Sequence, residues 1–172
     1  APATLDLPLR WLRGANARWL GRGAGAWQRE PEPGRVAETL WPRIAGRPGV
    51  RGVRDGAFVN WRYAAGAVLA YSTWSYPAGD PRILAVTVRD GTRERILDVW
   101  GDADMDEFAV AMAKLIELHA ALGALLVEWC PSENGPWGRI SGRAGFLRRR
   151  AGIPVVRWFA AAMLVLGTSI SA

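Results

Sequence analysis

The sequence predicts an α/β fold, a mixed sheet carrying helices, and three observations lead there. Three strand-like runs, Val68 to Tyr76, Ile83 to Val88 and Arg95 to Trp100, are separated by tight-turn signals. At Gly101 the apolar period changes from two to 3.6, and a helical stripe follows. Beyond Gly123 a continuous apolar run from Ala124 to Cys130 reads as a buried strand.

In chain order, residues 1–35 are irregular and punctuated by Gly21, Gly23, Gly25, Pro31, Pro33 and Gly34, which predicts a linker or arm. A short basic amphipathic helix from Leu9 to Leu20 fits within it. Its Trp11 and Trp19, with Trp27 and nearby leucines, give more apolar surface than a free linker needs. This predicts an arm that packs on a neighbour. The folded domain is then expected over 36–172.

Val36 to Ile44 has a helical pattern with Leu40 and Trp41 inward, and Pro42 limits its length. The three strand runs follow, joined at Pro77-Ala78-Gly79-Asp80 and at Asp90-Gly91, so an antiparallel meander is expected. The next helix places Phe108, Met112, Leu115, Ile116, His119 and Leu122 on one stripe, with Asp104 or Asp106 to cap it and Gly123 to close it. A strand, a helix and a strand in that order predict a right-handed crossover. Asn134 to Ala144 reads as a Gly-rich helix or turn, Phe146 to Arg150 as a short strand, and Val155 to Leu166 as the last strand.

The composition narrows the function classes. All but Lys114 of the 22 basic side chains are Arg, in an Ala- and Gly-rich chain of net charge +6. GC-rich codon usage accounts for that skew as well as nucleic acid does, and no nucleic-acid partner is expected. Cys130 has no second cysteine and His119 is the lone histidine, which argues against disulfides, a metal cluster and Ser-His-Asp chemistry. No metal is expected. The uncharged stretch from Trp158 to Ala172 is shorter than the roughly 20 residues of a membrane span, so no span is expected and a cytoplasmic location fits.

Several local strings carry a resemblance. Phe58-Val59-Asn60-Trp61-Arg62-Tyr63 resembles the "LNWRY" segment of bacterial GNAT-like domains, and Ile96-Leu97-Asp98-Val99-Trp100-Gly101 resembles the strand that follows there. Asn134, Gly145 and Phe146 match the spacing of an Asn and a Gly-Phe pair in many GNAT enzymes. Over roughly Val36 to Leu166 the chain thus resembles the GNAT superfamily of N-acyltransferases, in particular one half of a bacterial tandem GNAT protein. The resemblance implies the GNAT-like acyl-CoA N-acyltransferase fold and acetyl-CoA or another acyl-CoA as co-substrate. It also implies donor placement by Asn134 and the backbone of Val99, Trp100 and Gly101. The acceptor would be an amine, on a small molecule or a sugar.

Where the family pattern has a Tyr that reprotonates the leaving thiolate, this chain has Ser141, a much poorer acid than a phenol. The loop that would cradle the pyrophosphate contains Asp102, Asp104, Asp106 and Glu107. Those acids also suit a helix first turn, and they predict weak acetyl-CoA binding. Glu128, in the apolar strand, is either a base for the amine or a side chain turned to solvent. His119 reads as a core histidine. Asn60, Trp61 and Arg62 read as structural or as a phosphate grip, and Arg148 to Arg150 as a solvated strand end or an anion contact.

Two function classes follow. One is an N-acyltransferase domain moving an acyl group from acyl-CoA to an amine, with Glu128 as base. The other is a non-catalytic GNAT-like domain that packs on a catalytic partner, a second GNAT domain or another copy, or that holds the acceptor.

Overall fold

Backbone pairing begins earlier than the Gly and Pro punctuation suggests. The computed structural model describes residues 25–47, 52–63, 69–129, 140–141, 143–144, 146 and 155–158. Trp11, Trp19, Cys130, Asn134, Gly145 and Arg148 to Arg150 lie outside these residues. Two compact units are present, one running from Gly25 to Asp104 and the other holding the described residues from Met105 onward.

In the first unit, β1 (Gln28–Arg29), β2 (Tyr71–Tyr76), β3 (Ile83–Asp90) and β4 (Arg93–Gly101) pair antiparallel in chain order. The expected meander is therefore present, with one strand more than the sequence showed. Gly91, at φ +59, takes the first central position of the β3–β4 turn, which a type II′ turn reserves for Gly. Trp27 is buried, and its ring lies 5.3 Å from that of Tyr76, so this part of the expected arm belongs to the core.

Helix α1 (Pro33–Ile44) opens with Pro at its first position, where the missing N–H costs nothing. That is why Pro33 and Gly34, which read as a linker, instead start a helix. Pro42 is accommodated in the last turn, and Ala45 N–H still bonds the Trp41 carbonyl at 2.9 Å. Helix α2 (Gly56–Tyr63) is capped by Asp55, whose carboxylate accepts the Phe58 N–H at 2.8 Å.

One apolar face of the meander holds both helices. Val36, Ala37, Leu40 and Ile44 of α1 and Val59 and Tyr63 of α2 pack with Leu84, Val86 and Trp100. Each large side chain buried here contributes about 1.5–3 kcal/mol. The helices approach so closely that a Cβ on Gly34 would lie 2.2 Å from the Asn60 amide oxygen, and one on Gly56 would lie 2.7 Å from the Gly34 carbonyl.

The second unit contains helix α3 (Met105–Ala121), β5 (Leu126–Trp129) and β6 (Val155–Trp158), with β5 and β6 antiparallel. The expected stripe of α3 is buried from Phe108 to His119, as are Ala109, Val110, Ala111 and Ala113. Leu122 lies past the helix and is 51% exposed. Gly123, at φ +87, follows it, as expected of a helix stop. No helix among the described residues is long and apolar enough to cross a membrane.

Candidate functional site at the β4 bulge

Strand β4 contains an extra residue. Ile96 pairs with Thr87 and Asp98 with Val86, so Leu97 is left opposite no partner. In an unbroken strand Ile96 and Asp98 would share a face. The bulge turns them to opposite faces, and Asp98 joins the side of Val86 and Leu84, where α2 packs. Leu97 is left 45% exposed.

Asp98 is the centre of a polar cluster. Arg54 grips it with two bonds, Nε to Oδ2 at 3.0 Å and Nη2 to Oδ1 at 3.3 Å. The Tyr63 hydroxyl donates to Oδ2 at 3.4 Å and accepts from Arg62 Nε at 3.3 Å. Burial holds the Tyr63 phenol above its ordinary pKa, and the Asp98 charge adds to this. The bond to Tyr63 chiefly raises Arg62, so its guanidinium is permanently charged.

Aromatic rings frame the cluster. Tyr63 meets Tyr71 edge-on at 5.2 Å, and Phe58 touches both Tyr63 and Trp61, at 6.5 and 5.9 Å. Trp61 itself is 76% exposed. Of the string Asn60, Trp61 and Arg62, then, all three residues are exposed, and Arg62 bonds a phenol rather than a buried carbonyl.

The segment expected to place the acyl donor is the end of the same strand. Val99 and Trp100 are buried and pair with Ala85 and Leu84, and Gly101 pairs with Ile83. The Trp100 indole N–H is buried and has no hydrogen-bond partner among the described residues. Gly101 has a structural reason to lack a side chain, because its Cβ would fall 2.0 Å from the Arg82 carbonyl. Asp102 then clasps Arg82 with two backbone-directed bonds, at 2.7 and 2.9 Å.

The acid-rich loop is less uniformly negative than its composition implies. The Asp102 carboxylate pairs with Arg47, and in the second unit Asp106 pairs with Arg143. Met105 opens α3, which puts Asp104 at the capping position and Asp106 inside the first turn.

Of the other expected site residues, Glu128 is half-buried on β5 between the buried Val127 and Trp129. Ser141 is buried in a helical turn, and its carbonyl accepts the Phe146 N–H at 2.9 Å. The Phe146 ring lies 5.6 Å from Trp129, which ties that turn to the end of β5. Asn134 is outside the described residues. His119 is buried on α3, as a core histidine would be. No group of three His, Cys, Asp or Glu residues among the described residues could hold a metal ion.

Asp98 and Arg54 were not singled out from sequence. An Asp inside a strand, against the usual depletion of Asp there, was the available signal.

Comparison with known proteins gives the fold. No family model matches the sequence, and no curated protein matches it. Among solved structures, the aminoglycoside acetyltransferase AAC(6')-Ib, in complex with paromomycin and acetyl-CoA, is similar at a TM-score of 0.58 and 14% identity, over 80% of this chain and 94% of that one. The ribosomal-protein-S18-alanine N-acetyltransferase of Escherichia coli has a TM-score of 0.45 at 13% identity, over 76% and 88% of the two chains. A cAMP-binding acyltransferase of Mycobacterium smegmatis has 0.44 at 14%, over 96% of this chain and 58% of that one. The chain therefore has an α/β, GNAT-like fold.

Proposed function

We propose that this protein is a GNAT-type N-acyltransferase that moves an acyl group from acyl-CoA to an amine. The observation that supports this best is the fold likeness to AAC(6')-Ib, a chain held in complex with paromomycin and acetyl-CoA. In this reading the backbone of Val99, Trp100 and Gly101, with Asn134, places the thioester. Glu128 takes one proton from the attacking amine, the C–N bond forms, the C–S bond breaks, and the leaving thiolate takes up a proton. Ser141 is a weak donor for that last proton, so solvent supplies it. The setting is a bacterial cytoplasm, with no metal involved.

The test is thiol release from acetyl-CoA in the presence of a panel of primary amines. Turnover that falls at least tenfold in Glu128→Gln is expected. Absence of turnover with every amine would favour the second reading, a GNAT-like domain that packs on a catalytic partner domain or on a second copy. The buried Ser141 in place of a phenol is the observation on that side.

A further inference from the structure

The Asp98 cluster differs from a site built to hold a cation. Its carboxylate accepts two bonds from Arg54 and one from Tyr63, so most of its acceptor positions are already taken by this chain's own donors. Of the two guanidinium groups in the cluster, Arg54 is paired with Asp98 and Arg62 stands at the surface. Its Nε is fixed by the Tyr63 hydroxyl, and its two Nη groups hold no bond among the described residues. A planar fork fixed at one corner and open at the other two is suited to a two-oxygen anion.

The preceding residue, Trp61, keeps three quarters of its surface in water, with its ring 5.9 Å from that of Phe58. An exposed indole one residue before an open guanidinium on the same helix offers a stacking face to a ligand large enough to span the two. The cluster is also next to the donor segment, because Asp98 immediately precedes Val99.

We propose that Arg62 and Trp61 form an oxyanion-binding subsite, and that the amine acceptor of this protein itself carries a phosphate or carboxylate group. The proposal rests on the acyltransferase reading for the word acceptor, whereas the subsite itself is a binding site that needs no turnover. Arg62 holds the oxyanion, Trp61 covers the ring or sugar face attached to it, and Arg54, Asp98 and Tyr63 position Arg62. A polycationic acceptor such as an aminoglycoside is disfavoured here.

Calorimetric titration of the full chain, without acyl-CoA, tests this in two matched pairs. Glucosamine 6-phosphate against glucosamine reports a phosphate, and phenylalanine against phenylalaninamide reports a carboxylate. In at least one pair the anionic member should bind about tenfold tighter. That advantage should shrink to within about twofold in Arg62→Gln, whose thermal midpoint is expected to match the parent because Arg62 is exposed. Trp61→Ala should weaken both members of the pair. Equal affinities within both pairs, or an advantage that survives Arg62→Gln, would overturn the subsite. If binding follows this pattern while thiol release is absent with every amine, the subsite stands and the acyltransferase reading falls.

Discussion

Two carboxylates in the first unit, Glu30 and Asp98, are held by quite different partners. Glu30 follows β1 at the sheet edge and is only 9% exposed. Its oxygens accept the Glu32 N–H at 3.2 Å and the Ser75 hydroxyl at 3.3 Å, while its own N–H bonds the Thr73 carbonyl at 2.8 Å. All of these partners are neutral and close by, so the cluster is closed and ends where it begins. Asp98 has a cation as its main partner, and its hydrogen bonds continue through Tyr63 to a surface guanidinium. A closed polar cluster ties an edge strand down, whereas an open one presents charge to a ligand.

The largest expected effect concerns the frame both clusters depend on. Gly101→Ala should destabilise the chain by about 3 kcal/mol or more in urea denaturation, because the new Cβ meets the Arg82 backbone. A change under 1 kcal/mol would mean that β4 yields at its end and that the close approach is dispensable.

Removing the carboxylates separates the clusters next. Asp98→Ala removes the carboxylate that Arg54 grips in a half-buried site and should cost about 2 kcal/mol. Glu30→Gln keeps one acceptor oxygen and should cost about 1 kcal/mol, with no effect on ligand binding. The reverse order would show that the closed cluster carries more of the stability than the open one.

A smaller effect distinguishes Tyr63 by its titration. Its folded pKa is raised, so the folded chain holds a proton that the unfolded chain releases, and stability falls as pH rises above 10. Ultraviolet titration of phenolate should show one late-ionising tyrosine that disappears in Tyr63→Phe. Loss of the late phase with Tyr63 intact would contradict its placement against Asp98.

The smallest effect is on Trp61. At 76% exposure, Trp61→Ala should change stability by less than about 0.5 kcal/mol. A loss beyond 2 kcal/mol would make the ring structural and remove the stacking platform.

The sequence made the meander, α3 and β5 legible because their periodicity is local and their turns carry Gly or Pro. β1 was hidden because two residues carry no period, and Pro33 looked like a linker although Pro is equally at home at a helix start. The Phe58 to Tyr63 string was noticed for its resemblance, but not as part of a helix, since the eight residues of α2 mix Gly, Val and aromatics of modest helix propensity. The bulge was the deepest omission. A strand's period of two places Ile96 and Asp98 together, and only the extra residue at Leu97, visible in the pairing with β3, separates them and creates the cluster with Arg54. The expected effect of the acidic loop on a polyanion is also altered, since Arg47 and Arg143 each take up one of its carboxylates.

Calorimetric titration with acetyl-CoA addresses the acyltransferase reading most directly. With Asp102 and Asp106 each paired to an Arg, the reading predicts saturable binding with a Kd in the micromolar range, on the order of 8 kcal/mol or somewhat less. A flat titration up to millimolar acetyl-CoA would contradict it, and would leave a GNAT-like domain that holds acceptors or partners without performing the transfer.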